Sequence, residues 1–70
     1  MENDWQKVFS TPKGYLAEII KGVLIENGIE SIIINKQDSA YLLGEVEVYT
    51  RKDNLLKAIN IIKNNELDNE

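Results

Sequence analysis

The spacing of apolar positions along this chain switches between two residues and three to four, and each switch marks a new element. Trp5-Gln6-Lys7-Val8-Phe9-Ser10 is rich in aromatic and β-prone residues and is closed by Thr11-Pro12, which predicts a first strand. Leu16, Ile19, Ile20, Val23 and Leu24 then recur at helical spacing, with Glu18, Lys21 and Glu26 on the wet side. Ser10 or Thr11 can cap this first helix, Pro12 suits its first position, and Asn27-Gly28 can end it in a left-handed turn. Ser31-Ile32-Ile33-Ile34-Asn35 is a short β-branched run and predicts the second strand. Glu45 to Thr50 alternates polar and apolar at period two, which predicts the third. After Arg51-Lys52-Asp53, with Asp53 as the cap, Leu55, Ala58, Ile59 and Ile62 form a second helical stripe reaching about Asn64, with Leu56 and Ile61 off it.

Strand, helix, strand, strand, helix predicts an α+β fold with both helices on one face of an antiparallel three-stranded sheet. A right-handed crossover through the first helix leaves room for the third strand between the other two, giving the spatial order 1-3-2 of a split βαβ unit. This is a ferredoxin-like sandwich lacking its fourth strand. The first strand is then a sheet edge with unpaired backbone groups, open to strand addition.

At 70 residues the chain has room for one domain, read here as residues 5–64 between acidic, disordered tails at 1–4 and 65–70. The formal charge is -4, but Glu2, Asp4, Glu66, Asp68 and Glu70 carry five of the negative charges, so removing them leaves 5–65 at +1. A core without a concentrated basic stripe disfavours nucleic acid. No apolar run approaches a membrane span and the start is acidic, so the expected compartment is the cytoplasm. Cysteine and histidine are absent, which removes disulfides, thiol chemistry, imidazole catalysis and the usual zinc sites. No catalytic residue, metal site or cofactor is assigned, and the chain is expected not to be an enzyme. So small a core also favours association, possible through the sheet edge or the open sheet face.

Two constellations remain. If Val46 and Val48 face the helices, period two puts Glu45, Glu47 and Tyr49 on the open face together with Trp5, Lys7 and Phe9, leaving Val8 inside. Trp5, Phe9 and Tyr49 form a candidate association surface; the plainer reading is that Trp5 folds over an edge and Lys7 and Glu47 make a surface pair. The segment from Asn35 to Gly44 is longer than a strand reversal needs. The topology brings it near Ser10, Thr11 and Lys13, where free N–H groups and the Lys13 and Lys36 charges could hold a small anion or an acidic partner. Asn35, Asp38, Ser39 and Tyr41 would shape the rim. The plainer alternative is that Ser10 and Thr11 cap, Asp38 and Ser39 bond their own loop, and Tyr41 packs over the core edge.

Taken together, Trp5 to Thr11, Ala17 to Lys21, Leu24 to Ile29 with Asn27-Gly28, Asn35 to Tyr41 and Gly44 to Tyr49 resemble the prokaryotic signal-transducing proteins, small PII-like domains of unknown function. The resemblance runs from Trp5 to about Ile62. It implies a bacterial, cytoplasmic, ferredoxin-like regulatory domain. The Lys36 to Leu43 loop stands where PII proteins carry a longer regulatory loop, and with the fourth strand missing no PII nucleotide-binding residue carries over. The function expected is a non-enzymatic regulatory or interaction module that binds a protein partner. A sensor of a small anionic or nucleotide-like ligand is the alternative.

Overall fold

The computed structural model describes residues 4–37 and 44–65. The elements run β1 (Trp5–Thr11), α1 (Gly14–Glu26), β2 (Ser31–Asn35), β3 (Val46–Arg51), a one-turn 3₁₀ helix (Lys52–Asn54) and α2 (Leu55–Asn64). The sheet has the order β1-β3-β2, with β3 antiparallel to both neighbours. Since β1 and β2 both run against β3, they are parallel to each other and need the long α1 crossover. The architecture is α+β, as the periodicity predicts.

One core joins the sheet to both helices: Leu16, Ala17, Ile20 and Leu24 from α1, Ala58 and Ile62 from α2, Val46 and Val48 from β3, and Ile29 before β2. Helical geometry places neighbours three and four apart on one face, but the width of the buried stripe depends on what covers it. Ala17 and Ile61 therefore pack against the core, while Ile19 and Ile59, assigned to the stripes by spacing, lie at 48% and 37% exposure. Thr50 is fully buried on the core side of β3, and its hydroxyl has no hydrogen-bond partner among the described residues.

The helix ends follow local chemistry at one terminus and depart from it at the others. At the end of α1, Gly28 N–H donates to Ile25 C=O at 2.9 Å and Ile29 N–H to Leu24 C=O at 2.9 Å, with Gly28 at φ +80°. This is a Schellman stop, and Ile29 and Leu24 close it inside the core. At the start of α1 the capping expectation is corrected. β1 continues through Ser10 and Thr11, Pro12 precedes the helix, and Lys13 is the N-cap residue without a side-chain cap. The Thr11 hydroxyl instead accepts the Lys13 N–H at 3.1 Å. Asp53 likewise does not cap α2: it lies within the 3₁₀ turn, and Asn54 takes the cap position.

The main correction concerns β1. Its register against β3 shifts between Lys7 and Phe9, so Lys7 pairs with Tyr49 but Phe9 pairs with Val48. One extra residue in a strand reverses the side of everything beyond it. Phe9, expected on the open face, therefore packs against the core, as does Val8. At the strand's start, Asp4, read as part of the tail, is tied to the sheet: its carbonyl accepts the Lys52 N–H and its carboxylate pairs with Arg51. Residues 1–3 and 66–70 of the expected tails lie outside the described residues.

Candidate functional site

The face of the sheet turned away from the helices carries Trp5, Lys7 and Ser10 from β1, Glu47, Tyr49 and Arg51 from β3, and Ile32 and Ile34 from β2, as the strand pairing requires. No described element covers this face. Its centre is Glu47, only 7% exposed although it stands on an open surface. Its neighbours shelter it. The Tyr49 hydroxyl donates to Oε1 at 2.8 Å, Lys36 Nζ lies 3.3 Å from the same oxygen, and Lys7 Nζ lies 3.4 Å from Oε2. The side chains of Lys7 and Lys36 remain about half exposed, at 50% and 58%. Two ammonium groups thus share one carboxylate, and the cluster is net positive.

The Tyr49 hydroxyl, followed by the two ammonium groups, holds the Glu47 carboxyl below the usual carboxylate range, against the opposing effect of burial. The same bond pushes the Tyr49 hydroxyl up, with burial acting in the same direction. A carboxyl depressed in the folded state stabilises the fold above its unfolded pKa, and that contribution disappears as pH falls through the lower folded value. For Tyr49, raised on folding, the contribution is complete below the unfolded pKa and disappears as pH rises through the folded one. Glu47→Gln is therefore expected to lower Tm most between about pH 5 and pH 9, with the gap to wild type closing toward acid and toward strong alkali. Melts across pH 3 to 11 read this; a gap that stays flat from neutral to the acid end would remove Glu47 as the anchor of the face.

A second cluster lies at the other end of the face. Arg51 pairs with Asp4 at 2.6 Å and Glu30 at 3.3 Å, and its guanidinium sits 4.3 Å from the centre of the Trp5 ring. The acidic partners raise its pKa further and keep it charged. Trp5 is thus stacked against the cation of its cross-strand partner. The plain Lys7–Glu47 pair is also present.

The structure separates the residues expected around the start of α1. Asn35 Oδ1 accepts the Gln37 N–H at 2.8 Å, and Gln37 Nε2 donates to Pro12 C=O at 2.8 Å, so the segment after β2 does reach the segment before α1. Lys36, however, points to Glu47 on the open face, and Lys13 is exposed beyond β1. Thr11 is buried and bonds its own turn, and Ser10 donates to Glu45 at 2.8 Å. The two lysines therefore do not converge on the helix start. Asp38, Ser39 and Tyr41 lie outside the described residues. Tyr49 and Trp5 are on the open face as expected; Phe9 is not.

Sequence reasoning missed Glu30, Ile32 and Ile34 as members of this face. The signal was the same period of two, continued through β2 as Glu30, Ile32, Ile34 and Lys36 and read in phase with Glu47 and Tyr49. Among the described residues there is no cavity of ligand size and no cluster of three or more side chains able to hold a metal ion. Nor, among them, is any helix long and apolar enough to cross a membrane. No family model, curated protein or solved structure matches the chain.

Proposed function

We propose that this chain is a cytoplasmic, non-enzymatic regulatory module that binds an acidic segment of a protein partner on the open face of its sheet. The observation that supports this is the Lys7–Glu47–Lys36 cluster: two half-exposed ammonium groups over one sheltered carboxylate, bordered by the half-buried Ile32, Ile34 and Tyr49. An incoming carboxylate gains a charge-assisted bond from either lysine, and apolar neighbours on the partner gain contact with the isoleucines. A nearly neutral folded region favours such a local match over a phosphate backbone. The regulatory role is what the resemblance to signal-transducing domains suggests.

The test is capture from native lysate with wild type, Lys7→Glu, Lys36→Glu and, as control on α2, Lys57→Glu. Both open-face variants are expected to weaken retention of the same partner by about 1–3 kcal/mol, the worth of a charge-assisted contact. Either substitution also sets a second carboxylate beside the sheltered Glu47 and should lower Tm, so retention is compared at a temperature where melts show every variant folded. Lys57→Glu should leave capture intact. Retention unchanged in both open-face variants sinks the reading. A rise in Tm with inorganic phosphate or a nucleotide, in the absence of any retained protein, would favour the small-anion sensor instead.

A further inference from the structure

The two edge strands of this sheet, β1 and β2, are not equivalent. Lys36 N–H donates to Glu45 C=O at 2.9 Å, which fixes the phase of the β2–β3 ladder: Ile32, Ile34 and Lys36 bond inward, and Ser31, Ile33 and Asn35 turn their N–H and C=O groups outward. The outward groups of β2 are regularly spaced. On β1 the same reasoning, with Lys52 bonded to Asp4, leaves Trp5, Lys7 and Ser10 facing outward. The bulge breaks their spacing and Lys7 stands in the gap; bulges and lysines are features that discourage strand addition. These contrasts favour β2 over the β1 edge for strand addition.

The side chains of β2 and its flanks on the open face read Glu30, Ile32, Ile34, Lys36. Glu30 reaches Arg51 and Lys36 reaches Glu47, which places both on this face. Read in the opposite direction, the same row is Lys36, Ile34, Ile32, Glu30. It is therefore complementary to itself when two copies lie antiparallel. We propose that a second copy of this chain adds along the β2 edge about a two-fold axis at Ile33. Ile33 and its counterpart then exchange both backbone bonds, and Ser31, 6% exposed, exchanges them with Asn35 of the second copy once its cover shifts. Ile32 meets Ile34 of the second copy on both sides of the axis, and Glu30 meets its Lys36. The result is one six-stranded sheet with all four helices on one side.

The register is specified by these side chains. Moving the axis to Ile32 sets Glu30 against Ile34, and moving it to Ile34 sets Lys36 against Ile32. Each alternative removes the opposite-charge pairs and brings a charge against an apolar neighbour. An isologous contact counts every such gain or loss twice. The open face stays uncovered in this assembly, so the inference stands independently of the partner-binding reading. Lys7, which is absent from the β2 edge, separates the two: Lys7→Glu should disturb lysate capture and leave self-association unchanged.

The test uses Glu30→Lys and Lys36→Glu in the full chain. Sedimentation from about 1 μM to about 1 mM covers the range of weak association. Wild type should pass from its 8.0 kDa monomer to a dimer within it. Each variant opposes like charges at both ends of the contact, and should associate roughly tenfold or more weakly than wild type. An equimolar mixture restores both opposite-charge pairs, so a mixed dimer should form with near wild-type affinity, detected by native mass spectrometry. The double variant should also recover. Because every chain in the mixture keeps its own substitution, recovery reports only contacts between copies, whatever the change does within one. Asn35→Pro removes an outward N–H and should abolish the dimer while the monomer still melts cooperatively. A monomer at all concentrations, single variants that dimerise like wild type, or a mixture no better than its parts would overturn the proposal.

Discussion

Ile20→Ala is expected to cost about 2–5 kcal/mol, against less than about 1 kcal/mol for Ile19→Ala one position earlier. The deleted atoms are the same, but the surroundings differ. Ile20 has no exposed surface and touches the core shared by sheet and helices, whereas Ile19 is 48% exposed. Removing Ile20 leaves a cavity that the β-branched and leucine neighbours can fill only in part. At Ile19 water fills the space, and alanine's better helix propensity offsets part of the lost contact. A domain of 70 residues has a total stability of about 4–10 kcal/mol, so the first change removes a large share of it. Urea melts should place the Ile20→Ala midpoint far below wild type, with Ile19→Ala close to it. Equal losses at both positions would mean that the helix is turned differently on the sheet.

Gly44→Ala is the other large effect expected, about 3 kcal/mol or more, and Gly28→Ala provides the comparison. Both glycines have positive φ, +80° at Gly28 and +102° at Gly44, so any side chain is strained at either. At Gly28 an added Cβ meets nothing within 4 Å, and the cost is the conformational one of about 1–2 kcal/mol. At Gly44 the added Cβ would stand 2.7 Å from the Lys36 carbonyl oxygen and 3.4 Å from Gln37 Cα. Backbone cannot swing aside as the tip of a side chain can. Relief has to come from opening the ladder where Lys36 N–H meets Glu45 C=O, which also draws Lys36 away from Glu47. Hydrogen exchange at the Lys36 amide should accelerate in Gly44→Ala and stay slow in Gly28→Ala. A larger loss of stability at Gly28 than at Gly44 would contradict the close approach.

The candidate site was legible in its materials and not in its assembly. Period two in β3 assigned Glu47 and Tyr49 to the open face, and the same period in the first residues of β1 assigned Trp5 and Lys7. Lys36 was singled out as a charge available to an acidic ligand, and it is one of the two lysines at the centre of the face. Its side chain turns to the sheet instead of the helix start. A lysine just beyond a strand can reach either the loop or the sheet, and the buried Glu47 carboxylate, 3.3 Å away, decides between them. That carboxylate is eleven residues further along the chain, so no local pattern reports the pairing.

Element order, the antiparallel β1-β3-β2 sheet and the Gly28 helix stop were determined by the sequence alone, because each depends on periodicity or on one residue's backbone freedom. The buried flank of each helix, the helix caps and the side of the sheet on which Phe9 lies were decided only in the tertiary structure. Ile61 rather than Ile59 packs against the core because the sheet and α1 determine which flank of α2 is covered, and helical spacing is blind to that. Phe9 turns inward because the bulge lets β1 meet Val48 of β3 with one residue to spare. A bulge is a relation between two strands; one strand's own alternation carries no trace of it.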